Sequence, residues 1–135
     1  MIMGISHARR KSKGSAAERE LMRRFWAAGW AVIRAAGSGS TQYPCPDLLV
    51  GNAIRRLAIE VKATADKKKY FPKEEVNALK FFGKKFGAEA WLVIKFDHEN
   101  YYFINPEDLD ETNASFVASL DLAKRKGLLF EEITH

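Results

Sequence analysis

Two short stretches of this chain constrain its fold most: Pro46-Asp47, and Glu60-Val61-Lys62 a hairpin's length later. Residues 57–63 carry branched apolar side chains at alternate positions, a pattern typical of a β-strand. Successive side chains of a strand point to opposite faces, so Glu60 and Lys62 share the face opposite the apolar row. They would then stand roughly 6–7 Å apart along the strand.

The position of Asp47 follows from the turn between the two stretches. Asp47 heads a strand-like run, and a glycine–asparagine turn signal predicts a hairpin loop at residues 51–54. In that register Asp47 pairs with Ala58 and lies diagonal to Glu60 on the same face, about 7–8 Å away. The hairpin is therefore expected to bring two carboxylates and an ammonium group to one patch of a sheet.

Such a patch has two interpretations. Two carboxylates at this separation repel each other, and a hard divalent cation such as Mg²⁺, which takes oxygen ligands, relieves the repulsion. A lysine beside the cation can position or deprotonate a water, or stabilise charge on a phosphate. The alternative is a surface hairpin in which Glu60 and Lys62 form a solvated pair and Asp47 only begins a turn.

Composition narrows the class of protein. At 135 residues, with 47% hydrophobic and 29% charged residues, the chain is long enough for one globular domain, residues 1–135. A net charge of +5 favours a polyanionic partner. The single cysteine, Cys45, excludes an internal disulfide and suits a reducing compartment. Without a long apolar run or a signal peptide, we expect a cytoplasmic protein with no membrane association.

The first helix offers a further carboxylate. Residues 1–14 carry Arg9, Arg10 and Lys11 without apolar periodicity, which indicates a flexible basic arm. Ser15 and Glu18 have the spacing of a capping box, so a helix is expected to begin there and to end near residue 29. Glu18 either completes that cap or leans towards the acidic patch.

Two other segments flank the patch. Residues 35–46 are small and turn-prone, and they form either a mobile lid that carries a hydroxyl or a plain connector. A lysine run follows the strand that bears the acidic residues, and it is either a solvated face or a phosphate contact; its members are Lys67, Lys68 and Lys69.

The rest of the chain completes an α/β pattern. A helix is expected at about 73–86, strands at 88–96 and 101–104, a short helical turn at 107–109, a loop at 110–118 and a helix ending at Lys126. Phe82 and Phe86 fall near the apolar stripe of the longer helix, and they belong either to the core or to a subunit contact. This order predicts a mixed sheet flanked by helices.

The chain resembles a known family, the archaeal Holliday junction resolvases of the PD-(D/E)xK nuclease superfamily. The resemblance covers about residues 13–104, and its matching stretches are 13–21, 34–38, 46–52, 58–62 and 85–87. It implies a restriction-endonuclease-like core with a central mixed five-stranded sheet. The chain departs from the pattern in a longer N-terminal segment and in an insert at residues 43–46.

The resemblance also implies roles for individual residues. Asp47 and Glu60 correspond to metal-binding carboxylates, joined by the Val61 carbonyl, with Glu18 completing the site through water. Lys62 corresponds to the catalytic lysine near the attacking water. The remaining correspondences are a loop serine (Ser38), basic positions linked to DNA binding or cleavage (Arg19 and Arg34) and helix aromatics near the dimer interface and DNA (Phe82 and Phe86). The basic arm and the lysine run are expected from their charge alone to add nucleic-acid contacts, through Arg9, Arg10, Lys11, Lys67, Lys68 and Lys69.

The resulting hypothesis is a homodimeric, Mg²⁺-dependent endonuclease, with Mn²⁺ as a possible substitute. It would hydrolyse phosphodiesters at paired symmetric sites of a four-way DNA junction, and replication or recombination proteins are possible partners. Two alternatives remain at this stage. One is a repair or restriction-type nuclease that acts on linear or flapped DNA, and the other is a non-catalytic module that binds nucleic acid.

Overall fold

The structure, a computed structural model, describes residues 2–35 and 43–135, and the side chains of all of these except 2–13. Within this part the helices are α1 Ile2–Ala27, α2 Lys73–Phe86, α3 Leu120–Lys126 and α4 Phe130–Ile133. The strands are β1 Ala31–Arg34, β2 Leu48–Gly51, β3 Arg56–Thr64, β4 Lys68–Pro72, β5 Glu89–Phe96, β6 Tyr101–Ile104, β7 Asp110–Glu111 and β8 Ser115–Ser119. A 3-10 turn spans Pro106–Asp108.

Five strands of the described chain form one mixed sheet in the order β1-β2-β3-β5-β6. The β3–β5 pair is parallel, and the other pairs are antiparallel. Parallel neighbours need a crossover connection, and α2 lies within the one that joins β3 to β5. The predicted α/β architecture, a central mixed five-stranded sheet flanked by helices, is confirmed.

Each face of the sheet carries its own apolar cluster. On one face Phe25 of α1 is fully buried and makes edge-to-face contacts with Trp30, Phe103 and Phe130. On the other face α2 and α3 pack through residues such as Leu79. Burial of these side chains stabilises the fold by about 25 cal/mol for each Å² of apolar surface removed from water. The sheet is therefore covered on both sides, and β3 at its centre is shielded from solvent.

Helix α2 belongs to the crossover between β3 and β5, and it has the predicted bounds. Pro72 precedes it, and Gly87 ends it with a φ of 84°, a left-handed conformation that glycine adopts without strain. Val76, Leu79 and Gly83 form its buried stripe. Phe86 departs from the predicted stripe, since 48% of its surface is exposed.

Helix α1 differs from the prediction at its beginning. It begins at Ile2 rather than near Ser15, so Ser15 lies inside the helix and the expected capping box is wrong. Arginine, lysine and alanine are good helix formers, which allows a helix anchored by its packed second half to extend over the basic segment. None of the described helices, α1 included, is long and apolar enough to cross a membrane.

The segment predicted as a loop at 110–118 contains strands instead. Strands β4, β8 and β7 form a second, three-stranded sheet, in which Phe71 lies opposite Phe116. The prediction failed because β8 takes its conformation from β4, more than forty residues away in the sequence. Strand preference depends on such partners more than on local sequence.

We expect Gly83→Ala to destabilise the protein by about 1–3 kcal/mol. A Cβ atom at position 83 would lie 2.8 Å from the carbonyl oxygen of Ala88, so α2 would have to move away from β5. Chemical denaturation monitored by circular dichroism measures the change. Gly14→Ala is the matched control, because nothing lies within 4 Å of its added Cβ. In α1 that control is expected to be neutral or to stabilise by about 0.5–1 kcal/mol. Equal effects of the two substitutions would contradict the packing argument.

Candidate active site

The β2–β3 hairpin brings Asp47 closer to Glu60 than the sequence predicted. Leu49 pairs with Ala58 and Leu48 with Ile59, so the register continues with Asp47 opposite Glu60 rather than opposite Ala58. The expected register is wrong by two residues.

The turn explains the difference in register. The loop closes at Asn52, whose amide nitrogen donates to the Arg55 carbonyl at 3.0 Å. The Asn52 side-chain oxygen accepts hydrogen bonds from the amides of Ile54 and Arg55 at 2.8 and 2.7 Å. The loop is therefore residues 52–55, one residue further along the chain than the predicted loop at 51–54, and the Asn52 side chain stabilises it there.

Asp47 is fixed by two hydrogen bonds just before β2 begins. Its Oδ2 accepts from the Val61 amide at 2.9 Å, and its backbone carbonyl accepts from the Ala35 amide at 3.0 Å. The first bond means that a side chain, and not the backbone of a neighbouring strand, accepts the hydrogen bond from this amide of β3. The N–H and C=O of one strand residue point the same way, so the Val61 carbonyl is directed to the same edge.

Glu60 shares its environment with Asp47. Burial raises the pKa of Glu60 to about 8, and the charge of Asp47 and a hydrogen bond to it add to the effect. Two carboxylates that lie close together and are shielded from water cannot both be ionised without a counterion. At neutral pH the pair therefore holds a proton when no cation is bound.

Lys62 lines the same cleft as this pair, but its ion-pair partner is on α2. Its Nζ forms an ion pair with Oε1 of Glu75 at 2.8 Å, and both side chains are about one-third exposed. Burial acts to lower the pKa of Lys62, but the hydrogen bond and charge of Glu75, with the charges of Glu60 and Asp47, outweigh it and raise that pKa. Lys62 is thus an ammonium group at neutral pH.

Glu18 lies at the edge of the same group. Its Oε1 accepts a hydrogen bond from Nε of Arg34 at 2.7 Å. Burial raises the pKa of Glu18, and the Arg34 hydrogen bond opposes that effect while the charge of Asp47 adds to it. In residues 2–35 and 43–135 no three or more histidine, cysteine or acidic side chains are arranged to hold a metal. Glu18 as a metal-site residue stays a prediction.

The predicted DNA contacts lie on different elements. Arg19 is exposed on α1 next to Glu18, and Lys67 and Lys68 are exposed where β4 begins. None of the lysines at 67–69 is among the residues that line the cleft containing Asp47 and Glu60. Other predictions fall outside the described residues: Ser38 entirely, and the side chains of Arg9, Arg10 and Lys11.

The predicted dimer aromatics form one feature on α2. The rings of Phe82 and Phe86 stack with centroids 5.4 Å apart and an interplanar angle of 14°. Phe82 packs partly against the core, whereas Phe86 is 48% exposed. Phe82 thus belongs partly to the core, and a subunit contact through Phe82 and Phe86 stays a prediction.

Two residues of the cleft were missed from the sequence, Glu75 and Cys45. The cleft has a volume of about 330 Å³, and both residues line it together with Asp47, Glu60 and Lys62. Glu75 lies in the first turn of α2, where the helix macrodipole favours a carboxylate, so its place in the sequence alone does not indicate the cleft. The overlooked signal is topological, since a helix that crosses from β3 to β5 passes over the sheet face that bears Lys62.

The donors present fit a hard divalent cation. Asp47 and Glu60 supply two carboxylates, and the Val61 carbonyl faces the same edge of β3. Oxygen ligands of this kind, with water completing the shell, are those that Mg²⁺ and Mn²⁺ accept. A cation at this place would replace the proton that the two carboxylates share.

Sequence comparison relates the chain to one family. The profile described as archaeal Holliday junction resolvase (Hjc) matches residues 9–135. The crossover junction endodeoxyribonuclease Hjc of Archaeoglobus fulgidus is 38% identical over 129 residues, which cover 90% of this chain and 95% of that protein. The protein of the same name from Methanocaldococcus jannaschii is 39% identical over 105 residues, or 78% of this chain and 74% of the relative.

A solved structure agrees with the sequence comparison. The 1.6 Å structure of Archaeoglobus fulgidus Hjc, described as a Holliday junction resolvase from an archaeal hyperthermophile, superimposes with a TM-score of 0.85 at 35% identity. The match covers 90% of this chain and all of that one. It extends the resemblance from residues 13–104 to nearly the whole fold.

We expect Glu60→Gln to remove a pH dependence of stability when EDTA is present. The folded chain holds the Glu60 proton more tightly than the unfolded chain, because the pKa rises from 4.5 to about 8 on folding. The contribution of Glu60 to stability is therefore greatest at low pH and falls as pH rises through this window. At pH 8 the substitution is expected to stabilise by on the order of 2 kcal/mol relative to its effect at pH 5.

Thermal melts of both proteins at half-unit pH steps measure this effect. Glu131→Gln is the control, because Glu131 is exposed on α4 and away from the cleft. Parallel curves for the native protein and Glu60→Gln would contradict the shared proton.

Proposed function

Because the chain belongs to the archaeal Holliday junction resolvase family, we propose that it is an endodeoxyribonuclease that cuts four-way DNA junctions by divalent-metal-dependent hydrolysis. The observation that carries the proposal is the convergence of Asp47, Glu60 and Lys62 on one cleft. Glutamate and aspartate side chains beside an ammonium are suited to phosphodiester hydrolysis, in which negative charge develops on the phosphate oxygens.

Asp47, Glu60 and the Val61 carbonyl are the proposed ligands, with Glu18 acting through water. Mg²⁺ is the expected cation, and Mn²⁺ the expected substitute. When bound, the cation supplies Lewis-acid stabilisation of the phosphate and lowers the pKa of a nearby water. The hydrogen bond from the Val61 amide orients Asp47 before any cation arrives, so the site needs little rearrangement to bind one.

Lys62 acts as a positive charge in this proposal, and not as a base. Its raised pKa keeps the ammonium group protonated at neutral pH, so it donates hydrogen bonds to the attacking water or to a phosphate oxygen. The water oxygen attacks phosphorus and its proton passes to solvent, while the bond to the 3′-oxygen breaks and that oxygen takes a proton from solvent to become a 3′-hydroxyl. Lys62 stabilises the charge that builds up on the phosphate oxygens.

DNA binding in this proposal rests on phosphate contacts. Arg19 lies on α1 and Arg34 lies on β1, where it pairs with Glu18, and the net charge of +5 favours a polyanion. The basic residues at 9–11 and 67–69 extend the proposed contact surface. Phosphate contacts position a duplex without reading its sequence, so selection of a junction depends on the shape of the DNA.

A homodimer follows from the symmetry of the substrate. Two strands cut at symmetric points require two active sites related by a two-fold axis. Phe82 and Phe86 are the proposed contact, because a stacked aromatic pair with one exposed ring is the kind of anchor that subunit interfaces bury.

We expect Glu60→Gln to abolish Mg²⁺-dependent cleavage of a synthetic four-way junction while leaving junction affinity within about threefold. The amide removes a ligand charge, but it changes no basic residue that contacts DNA. Gel cleavage assays with and without Mg²⁺ measure the first effect, and fluorescence anisotropy in Ca²⁺ measures the second. Equal loss of binding and cleavage would contradict a purely catalytic role.

The same assay separates the proposed substrate from others. Glu131→Gln makes the same chemical change away from the cleft and is expected to cut at the native rate. Flapped and plain duplexes of matched length are the substrate controls. Faster cutting of a flap or a linear duplex would replace junction resolution by a different nuclease activity, and no cutting of any substrate would leave only a DNA-binding module.

We expect Phe86→Ser to weaken the proposed dimer and to uncouple the two cuts at a junction. Loss of a large aromatic side chain at the centre of an interface costs about 2 kcal/mol or more. Sedimentation velocity measures the oligomeric state, and a plasmid-borne junction reports whether both strands are cut in one encounter. Tyr70→Ser is the matched control, since Tyr70 is 57% exposed on the second sheet. An unchanged dimer would exclude Phe86 from the interface.

A further inference from the structure

The ion pair between Lys62 and Glu75 is a feature of the cleft that neither the sequence motif nor the proposed chemistry uses. Glu75 belongs to α2 and Lys62 to β3, so the pair joins two elements of the crossover rather than two positions of one strand. The distance between Nζ and Oε1 is 2.8 Å. Both side chains also line the cleft with Asp47 and Glu60.

Lysine is a poor choice for a fixed position unless something restrains it. Its ammonium group is a point charge at the end of a flexible four-carbon stem. Asp47 and Glu60 attract that charge, and an ammonium group drawn between them would occupy the place of a cation. Glu75 competes for the same group from α2, and among the three carboxylates it acts on Lys62 most strongly.

Glu75 itself is well anchored. The next residue, Val76, is 1% exposed, and Leu79, one turn later, is 3% exposed in the core cluster beneath α2. These two side chains fix the first turn of the helix against the sheet. A carboxylate on an anchored turn can hold a mobile partner, because the conformational entropy of that turn was already lost when the helix packed against the sheet.

We propose that Glu75 is a positioning residue, which holds the Lys62 ammonium group beside the carboxylate pair and keeps it from collapsing between Asp47 and Glu60. This inference rests on the proposed nuclease function. Glu75 touches neither substrate nor cation in this proposal, and it acts only through Lys62. Its removal leaves Lys62 charged but misplaced, and a displacement of about 1 Å at a reacting centre can reduce a rate about a hundredfold.

The test compares Glu75→Gln with Glu74→Gln in single-turnover cleavage of a four-way junction at saturating enzyme. Both glutamates lie in the first turn of α2, so each substitution makes the same change to the helix dipole. Glu74 is exposed and does not line the cleft. We expect Glu75→Gln to lower the rate about ten- to a hundredfold, and Glu74→Gln to change it less than about twofold.

Two readouts separate positioning from a structural role. Junction affinity of Glu75→Gln, measured in Ca²⁺, is expected to stay the same or to become tighter, because a negative charge facing the DNA has been removed. Its melting temperature is expected to match that of Glu74→Gln within a few degrees, since a partly exposed ion pair contributes little to stability. Glu75→Asp restores the charge, and its rate is expected to lie well above that of Glu75→Gln.

Several results would overturn the inference. These are a native or faster rate for Glu75→Gln, an equal loss of affinity and rate, and a Glu75→Asp variant no faster than Glu75→Gln. If the native protein cuts the junction and Glu75→Gln cuts as fast as Glu74→Gln, only the positioning role fails. If the native protein cuts no junction with either Mg²⁺ or Mn²⁺, the proposed function fails and the positioning role fails with it.

Discussion

The hydrogen bond from the Val61 amide to the Asp47 carboxylate organises the whole candidate site. Strand β2 begins only at Leu48, so the side chain of Asp47 takes over the pairing that a further strand residue would have made with β3. A buried amide must find an acceptor, and here the acceptor is a charged group. The same contact that satisfies the backbone thus places one carboxylate against another, and everything else in the cleft adjusts to that juxtaposition.

This arrangement of carboxylates lowers the stability of the protein, and the packing of the surrounding fold offsets the loss. Strand β3 lies at the centre of the main sheet with an apolar cluster on each face, so Glu60 is desolvated by packing that serves the rest of the domain. Residues that bind cations or substrates often sit in such unfavourable surroundings, since relief of the strain then favours binding. Arg34 and Glu75 supply partial compensation at the edge of the group through Glu18 and Lys62.

Local pattern was enough to predict β3 and α2 but not the long-range pairing of strands. Apolar alternation predicted β3, and the helix expected at about 73–86 has the bounds of α2. The register of the hairpin was missed because the Asn52 side chain closes the turn, a contact that residue type alone does not specify. Strand β8 was missed because its partner β4 is distant in sequence, and Glu75 because its role depends on where α2 crosses the sheet.

The second sheet has a consequence for residues that carry no chemistry of their own. Strand β4 runs directly into α2 through Pro72, and β8 holds β4 in place along five paired residues from Lys68 to Pro72. The C-terminal third of the chain therefore stabilises the beginning of α2 through the pairing of β8 with β4. Changes in β8 would be transmitted along β4 to the helix that carries Glu75. The region that influences Glu75 therefore includes a strand with no acidic or basic residue.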